Sequence, residues 1–250
     1  MNESIFTYEG YEKYLIYCKT ISKFSTFSDY NGSDSILLRH DIDLDLKAAK
    51  RLYDIELKNG VVSTFFIMTT SPGYNVMYPK NQKILKEISD SNSEIGLHFD
   101  PTIYGNLAPS ELIHRVHSEA EILESIMGKK ITSISIHNPT SHGLYQEFMD
   151  FNNAYSSKFF NKDFYLSDSC LDFRGKDPYT FIEKARRNTV QILFHPMHFS
   201  KTGEKYLFII QKHLTEYSEI LDGYFSVNPT LEKEKNNKKF KEIFFKNLDL

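Results

Sequence analysis

Arg39-His40-Asp41-Ile42-Asp43 closes an apolar run and precedes a helical pattern. Alternation along a strand puts Arg39, Asp41 and Asp43 on one face, so one carboxylate can bind a divalent cation while the other, held by a cation beside it, acts as general base. The plainer reading is an Asp-rich helix start with Asp43 as the cap. Later apolar runs end in similar types: Leu97-His98-Phe99-Asp100, Ser135-Ile136-His137-Asn138-Pro139 and Phe194-His195-Pro196-Met197-His198. His98 and Asp100 could supply one metal ligand or two. His137 and His142 flank a loop that could line a pocket. His195 could protonate a leaving amine, His198 could orient it or ligate metal, and Asp168 or Asp172 could fix the His195 tautomer. Taken singly, each is more often a turn or a hydrogen-bonded structural residue. Their joint placement at strand ends points to one site on one rim.

Strands alternating with helices must position such a rim, because parallel βαβ units gather their strand ends on one side. The pattern predicts strands over 36–40, 61–68, 94–98, 131–136 and 190–194, with weaker ones near 154–155 and 164–166. It predicts helices over 44–58, 81–89 and from Pro109, with Gly128 as the C-cap of the last. The count suits a seven-stranded barrel. We expect a helical extension over 1–30, the barrel over 31–228 and a helical tail over 229–250, where Phe240, Ile243, Phe244 and Leu248 keep helical spacing.

The chain has 250 residues and 40% hydrophobic content, enough for one sizeable α/β core. A net charge of −3 with no basic face argues against a nucleic-acid partner. Cys18 and Cys170 are too few for a disulfide framework or a Cys-rich zinc site. With no apolar leader and no run of about 20 apolar residues, the expectation is a soluble, cytoplasmic protein without a membrane span.

The order and spacing of these segments, from about residue 36 to 198, resemble the NodB-homology polysaccharide deacetylase superfamily, in a less characterised bacterial branch associated with surface polysaccharides. The resemblance implies a distorted seven-stranded (β/α) barrel and a metal-dependent hydrolase that removes N- or O-acyl groups from sugars. It maps the base onto Asp41, a metal ligand onto Asp43, the "ATFF" strand onto Val62-Ser63-Thr64-Phe65-Phe66-Ile67, the metal histidine onto His98 and the general acid onto His195. The family's second metal histidine, four residues after the first, is Thr102 here. Asp100, His137 or His142 could supply the third ligand, with Asp100 placed first and His137 second. The family's Arg-Pro motif is reduced to Asn138-Pro139, so Arg39 would orient the base, with His198 and Asp168 in support. The resemblance implies a divalent metal, Zn²⁺ first, and a carbohydrate or nucleotide-sugar substrate. Competing readings are a carbohydrate-binding relative that has lost its metal site, favoured by Thr102, and a glycosyltransferase using Asp41-Ile42-Asp43 as a clamp on a nucleotide diphosphate. A haloacid-dehalogenase-type phosphatase fits less well, because Leu44-Asp45 follows the Asp pair.

Overall fold

The computed structural model describes residues 4–143 and 147–245, without the side chain of residue 142. The chain divides into two compact units, Met1–Gly203 and Glu204–Leu250.

The first unit runs α1 (Tyr8–Ile21), β1 (Phe24–Ser25), β2 (Ile36–Ile42), α2 (Leu46–Lys58), β3 (Thr64–Ile67), α3 (Pro79–Ser89), β4 (Glu94–Phe99), α4 (Pro109–Met127), β5 (Ser133–Ile136), α5 (Pro139–His142), β6 (Asn152–Asn153), β7 (Tyr165–Ser167), α6 (Pro178–Ile182) and β8 (Val190–Phe194). Seven strands pair in the order β6-β5-β4-β3-β2-β8-β7, and β1 adds to the start of β2. Every pairing is parallel. The sheet curls into a half-barrel with helices outside it, as the strand–helix alternation predicts. β6 and β7 are not paired to each other, and aromatic rings stand between these ends: Tyr155 against Phe160 and Phe160 against Tyr165, with centroids 5.5 and 5.0 Å apart.

Alternation along β2 sorts its side chains between two layers. Ile36, Leu38 and Ile42 join clusters that also contain helix residues: Leu15 and Cys18 from α1, Leu46, Ala49 and Leu52 from α2, and Val116 and Leu123 from α4. Leu37 faces the opposite way, into a lumen cluster with Phe27, Phe66, Ala154 and Phe159. Each such burial contributes about 2 kcal/mol. The lumen is tight: a Cβ on Gly96 would stand 2.6 Å from the Phe66 ring, and Gly96 is the register partner of Phe66. Glycine there lets the aromatic floor fit beneath the rim.

The helix ends follow local chemistry. Asp45, not Asp43, caps α2 by accepting from the Ala48 amide at 2.9 Å, which leaves Asp43 for other work. Gly128 ends α4 in the left-handed region at φ 70°. His40 falls on the outer face of β2, where its Nε2 lies 2.6 Å from Glu56 of α2, so it takes no place on the rim. Strands β3, β5 and β6 are shorter than or offset from the predicted spans, and the two-residue β1 was not expected.

The second unit consists of α7 (Tyr206–Phe225), α8 (Pro229–Lys235) and α9 (Phe240–Phe244). Asp222 of α7 ties them together, accepting from Lys235 Nζ at 2.7 Å and from the Phe240 amide at 3.0 Å. The predicted tail helix includes α9, while Leu248 lies outside the described residues. No described helix is long and apolar enough to cross a membrane.

Candidate active site

The chemistry-bearing residues stand at the carboxyl ends of five parallel strands. Asp41 and His98 are the next-to-last residues of β2 and β4, while Asp43, His137, Asp168 and His195 each follow directly on β2, β5, β7 and β8. Parallel pairing collects these ends on one rim. The register sets His98 opposite Ser135, so His137, two residues further along, reaches the same side.

Asp41 is held by Arg39 through both oxygens, Nε to Oδ1 at 3.1 Å and Nη2 to Oδ2 at 2.7 Å. Both residues are buried, at 0% and 3% exposure, so the guanidinium needs further acceptors. It donates to Gln191 Oε1 at 2.9 Å, Ser135 Oγ at 2.8 Å and Tyr155 Oη at 3.0 Å, and lies over the Tyr155 ring. Gln191 is in turn anchored to the Ala154 and Phe159 carbonyls. Burial alone would raise the Asp41 carboxyl, but the adjacent Arg39 outweighs it and keeps the group below its ordinary range.

Asp43 meets two imidazoles. Its Oδ1 lies 3.0 Å from His98 Nε2 and 3.5 Å from His137 Nδ1, and those two nitrogens are 3.2 Å apart. These contacts are close, yet Oδ1 is a buried oxygen with no hydrogen-bond partner. Donors about 2.0–2.1 Å from a tetrahedral ion stand about 3.3–3.4 Å from one another, close to the three separations found here. An orphaned oxygen and two inward-facing nitrogens at that spacing fit a divalent cation. Ser71 Oγ and Tyr74 Oη hold the end of β2 through the carbonyls of Asp43 and Ile42, both at 2.6 Å.

Asp100 is turned elsewhere. Its Oδ1 accepts from the Thr102 amide at 2.9 Å and the Thr102 hydroxyl at 2.6 Å, capping the 3-10 turn Pro101–Tyr104. Thus the donor group around Asp43 contains His137, the second-placed candidate, and does not contain Asp100. The side chain of His142 lies outside the described residues.

The second Asp/His/His group is built differently. Asp168, buried at the end of β7, accepts from His195 Nδ1 at 2.6 Å and His198 Nδ1 at 2.9 Å, and also from the His195 amide. Burial would lower the His195 pKa, but the Asp168 carboxylate prevails and raises it from 6.5 to about 9. The His195 Nε2 lies 3.8 Å from Asp43 Oδ2, facing the first group. Asp172 only accepts from the Arg174 amide in a turn, so of the two predicted orienting carboxylates Asp168 is the one in place.

Sequence reasoning missed Ser135, Gln191 and Tyr155 as partners of Arg39. Gln191 had a signal, as a polar residue inside the apolar strand Val190–Phe194. Ser135 had another, two residues before His137 on one strand face. Tyr155 lies in the connection after β6, where no periodicity marks direction.

No protein-family model and no curated protein sequence matches the chain. Solved structures do. The peptidoglycan deacetylase PdaC from Bacillus subtilis is 18% identical, with a TM-score of 0.45 over 71% of this chain and 81% of that one. The chitin deacetylase from Colletotrichum lindemuthianum is 14% identical, with a TM-score of 0.45 over 72% and 81%. A carbohydrate esterase family 4 pseudoenzyme from Bacillus anthracis is 14% identical, with a TM-score of 0.43 over 82% and 77%. These are likenesses of fold at low identity, and the chemistry of the site rests on this chain's own residues.

Proposed function

We propose that the protein is a metal-dependent hydrolase that removes an acetyl or formyl group from the nitrogen or oxygen of a sugar or polysaccharide precursor in surface-polysaccharide synthesis. The observation that carries this reading is the buried, unbonded Asp43 Oδ1 faced by His98 Nε2 and His137 Nδ1, beside a carboxylate and an imidazole in different states of charge. The resemblance of the motifs to polysaccharide deacetylases supports a sugar as the carrier of the acyl group.

Asp43, His98 and His137 would hold the cation, Zn²⁺ by preference for two nitrogens and one oxygen. Bound there, it supplies Lewis acidity toward the acyl oxygen and lowers the pKa of water. Asp41, kept ionised by Arg39, takes the proton from the attacking water. Arg39 cannot compete for that proton, because a guanidinium stays charged. His195, kept protonated by Asp168, gives its Nε2 proton to the departing amine or alcohol as the carbon–nitrogen or carbon–oxygen bond breaks. Proton acceptor and proton donor thus lie near the same ligand set, Asp41 Oδ2 at 3.7 Å from His98 Nε2 and His195 Nε2 at 3.8 Å from Asp43 Oδ2. The Arg39 cage and the Asp168 pair keep their pKa values apart, as acid–base hydrolysis requires.

The test combines metal analysis with acyl release from N- and O-acetylated sugars and oligosaccharides. The reading expects about one divalent ion per chain, acetate or formate release, and loss of release in Asp41→Asn with metal retained. Sugar binding without turnover in the metal-loaded protein would favour the carbohydrate-binding alternative. Absence of both metal and turnover would end the proposal.

A further inference from the structure

A histidine that ligates metal through one nitrogen carries its proton on the other, and that N–H needs an acceptor. His98 meets this condition: its Nδ1 lies 3.2 Å from the Ser135 carbonyl oxygen, which can only accept, so in the neutral ring Nε2 carries the lone pair and faces Asp43. His137 is arranged the other way. Its Nε2 lies 2.8 Å from Asn138 Nδ2, which can only donate, so Nε2 accepts and the proton sits on Nδ1, the atom that faces His98 Nε2 at 3.2 Å. The four groups form a chain of one polarity. Asn138 donates to His137, His137 to His98, and His98 to the Ser135 carbonyl.

With that polarity His137 Nδ1 and His98 Nε2 could not both serve as ligands, because the first carries a proton. Resting on the ligand set proposed above, we propose that Asn138 sets the tautomer of His137: its side-chain amide turns over on metal binding, so that Oδ1 replaces Nδ2 against His137 Nε2. In proton balance, Nδ1 releases one proton to solvent and Nε2 takes one up, leaving the imidazole neutral. His98 needs no such change. Asn138 is thus a positioning residue for the metal site.

The backbone supports this role. Asn138 lies at φ 44°, ψ 45°, in the left-handed region that glycine adopts freely and that Asn and Asp tolerate better than other residues. This conformation, followed by Pro139, places its amide on the ring of the residue before it. A carboxylate in the same place would accept from Nε2–H without turning over, whereas glycine would keep the backbone and lose the acceptor.

The test is Zn²⁺ affinity, measured by competition with a chromophoric chelator, for the wild type, Asn138→Asp, Asn138→Gly and His137→Ala. The proposal expects Asn138→Gly to weaken binding about 10–100-fold, the range seen when outer partners of metal ligands are lost, and Asn138→Asp to retain it. A long-range proton–nitrogen correlation spectrum of the loaded protein should place the His137 proton on Nε2. Wild-type affinity in Asn138→Gly, or a proton remaining on Nδ1, would overturn the proposal while leaving the ligand set standing. Unchanged affinity in His137→Ala would instead remove the ligand set on which it rests.

Discussion

Two groups of one Asp and two His share this rim, and they differ in where their polar atoms point. Around Asp43 the three donor atoms stand 3.0–3.5 Å apart, and the carboxylate oxygen among them has no hydrogen bond. Around Asp168 the imidazoles close to 2.6 and 2.9 Å and bond the two carboxylate oxygens separately. The same residue types therefore leave room for a cation in one place and form a charged hydrogen-bonded pair in the other. Composition does not separate the two cases, and a difference of about half an ångström does. A buried polar atom without a partner costs about 1–3 kcal/mol, so the first arrangement persists only where something compensates it. The second compensates itself.

The largest expected effect comes from interchanging the two groups' fates. Replacing Asp43 or His98 by Ala should abolish Zn²⁺ retention, measured by elemental analysis after dialysis, whereas Asp168→Ala and His198→Ala should leave it intact. Metal loss from both groups alike would erase the distinction drawn between them. Next, His195→Ala and Asp41→Asn should each lower kcat about 10²–10⁴-fold with metal content unchanged, the range for removing a positioned acid or base.

The Asp168 pair can be sharpened by pH. A His195 raised from 6.5 to about 9 contributes stability that is complete below pH 6.5 and disappears as pH rises through about 9. The contribution is at most about 3 kcal/mol. Denaturant unfolding of the metal-free protein should show wild type exceeding Asp168→Asn by the most near about pH 6 and by progressively less above about pH 9. A gap that widens with pH would contradict the pair. The smallest effect belongs to the first group: Zn²⁺ at about 100 times its Kd should stabilise wild type by about 2.7 kcal/mol, read as a rise in Tm. Asp43→Ala should show no such rise.

Much of the fold was legible because its signals are local. The stripe through Ala48, Ala49 and Leu52 specifies α2, whose buried face contains those residues. The run over 190–194 coincides with β8. The short strands β6 and β7 were harder to place, since two or three residues carry too little periodicity and their ends are set by pairing with β5 and β8. At the site, Arg39 and Asp41 could be paired from strand alternation alone, and Asp168 could be named as a partner of His195 from its residue type beside a strand end.

What the sequence determined by itself is which residues share a face: alternation along β2, continued to the residue after it, sends Arg39, Asp41 and Asp43 one way and His40 the other, because that period is a property of the extended backbone. Only the tertiary structure decided which groups meet. Asp100 and His137 both follow strands, but Asp100 turns back onto Thr102, while the pairing of His98 with Ser135 carries His137 to Asp43. Such neighbours depend on register and on the direction of a turn, and both are set by packing across strands far apart in the chain.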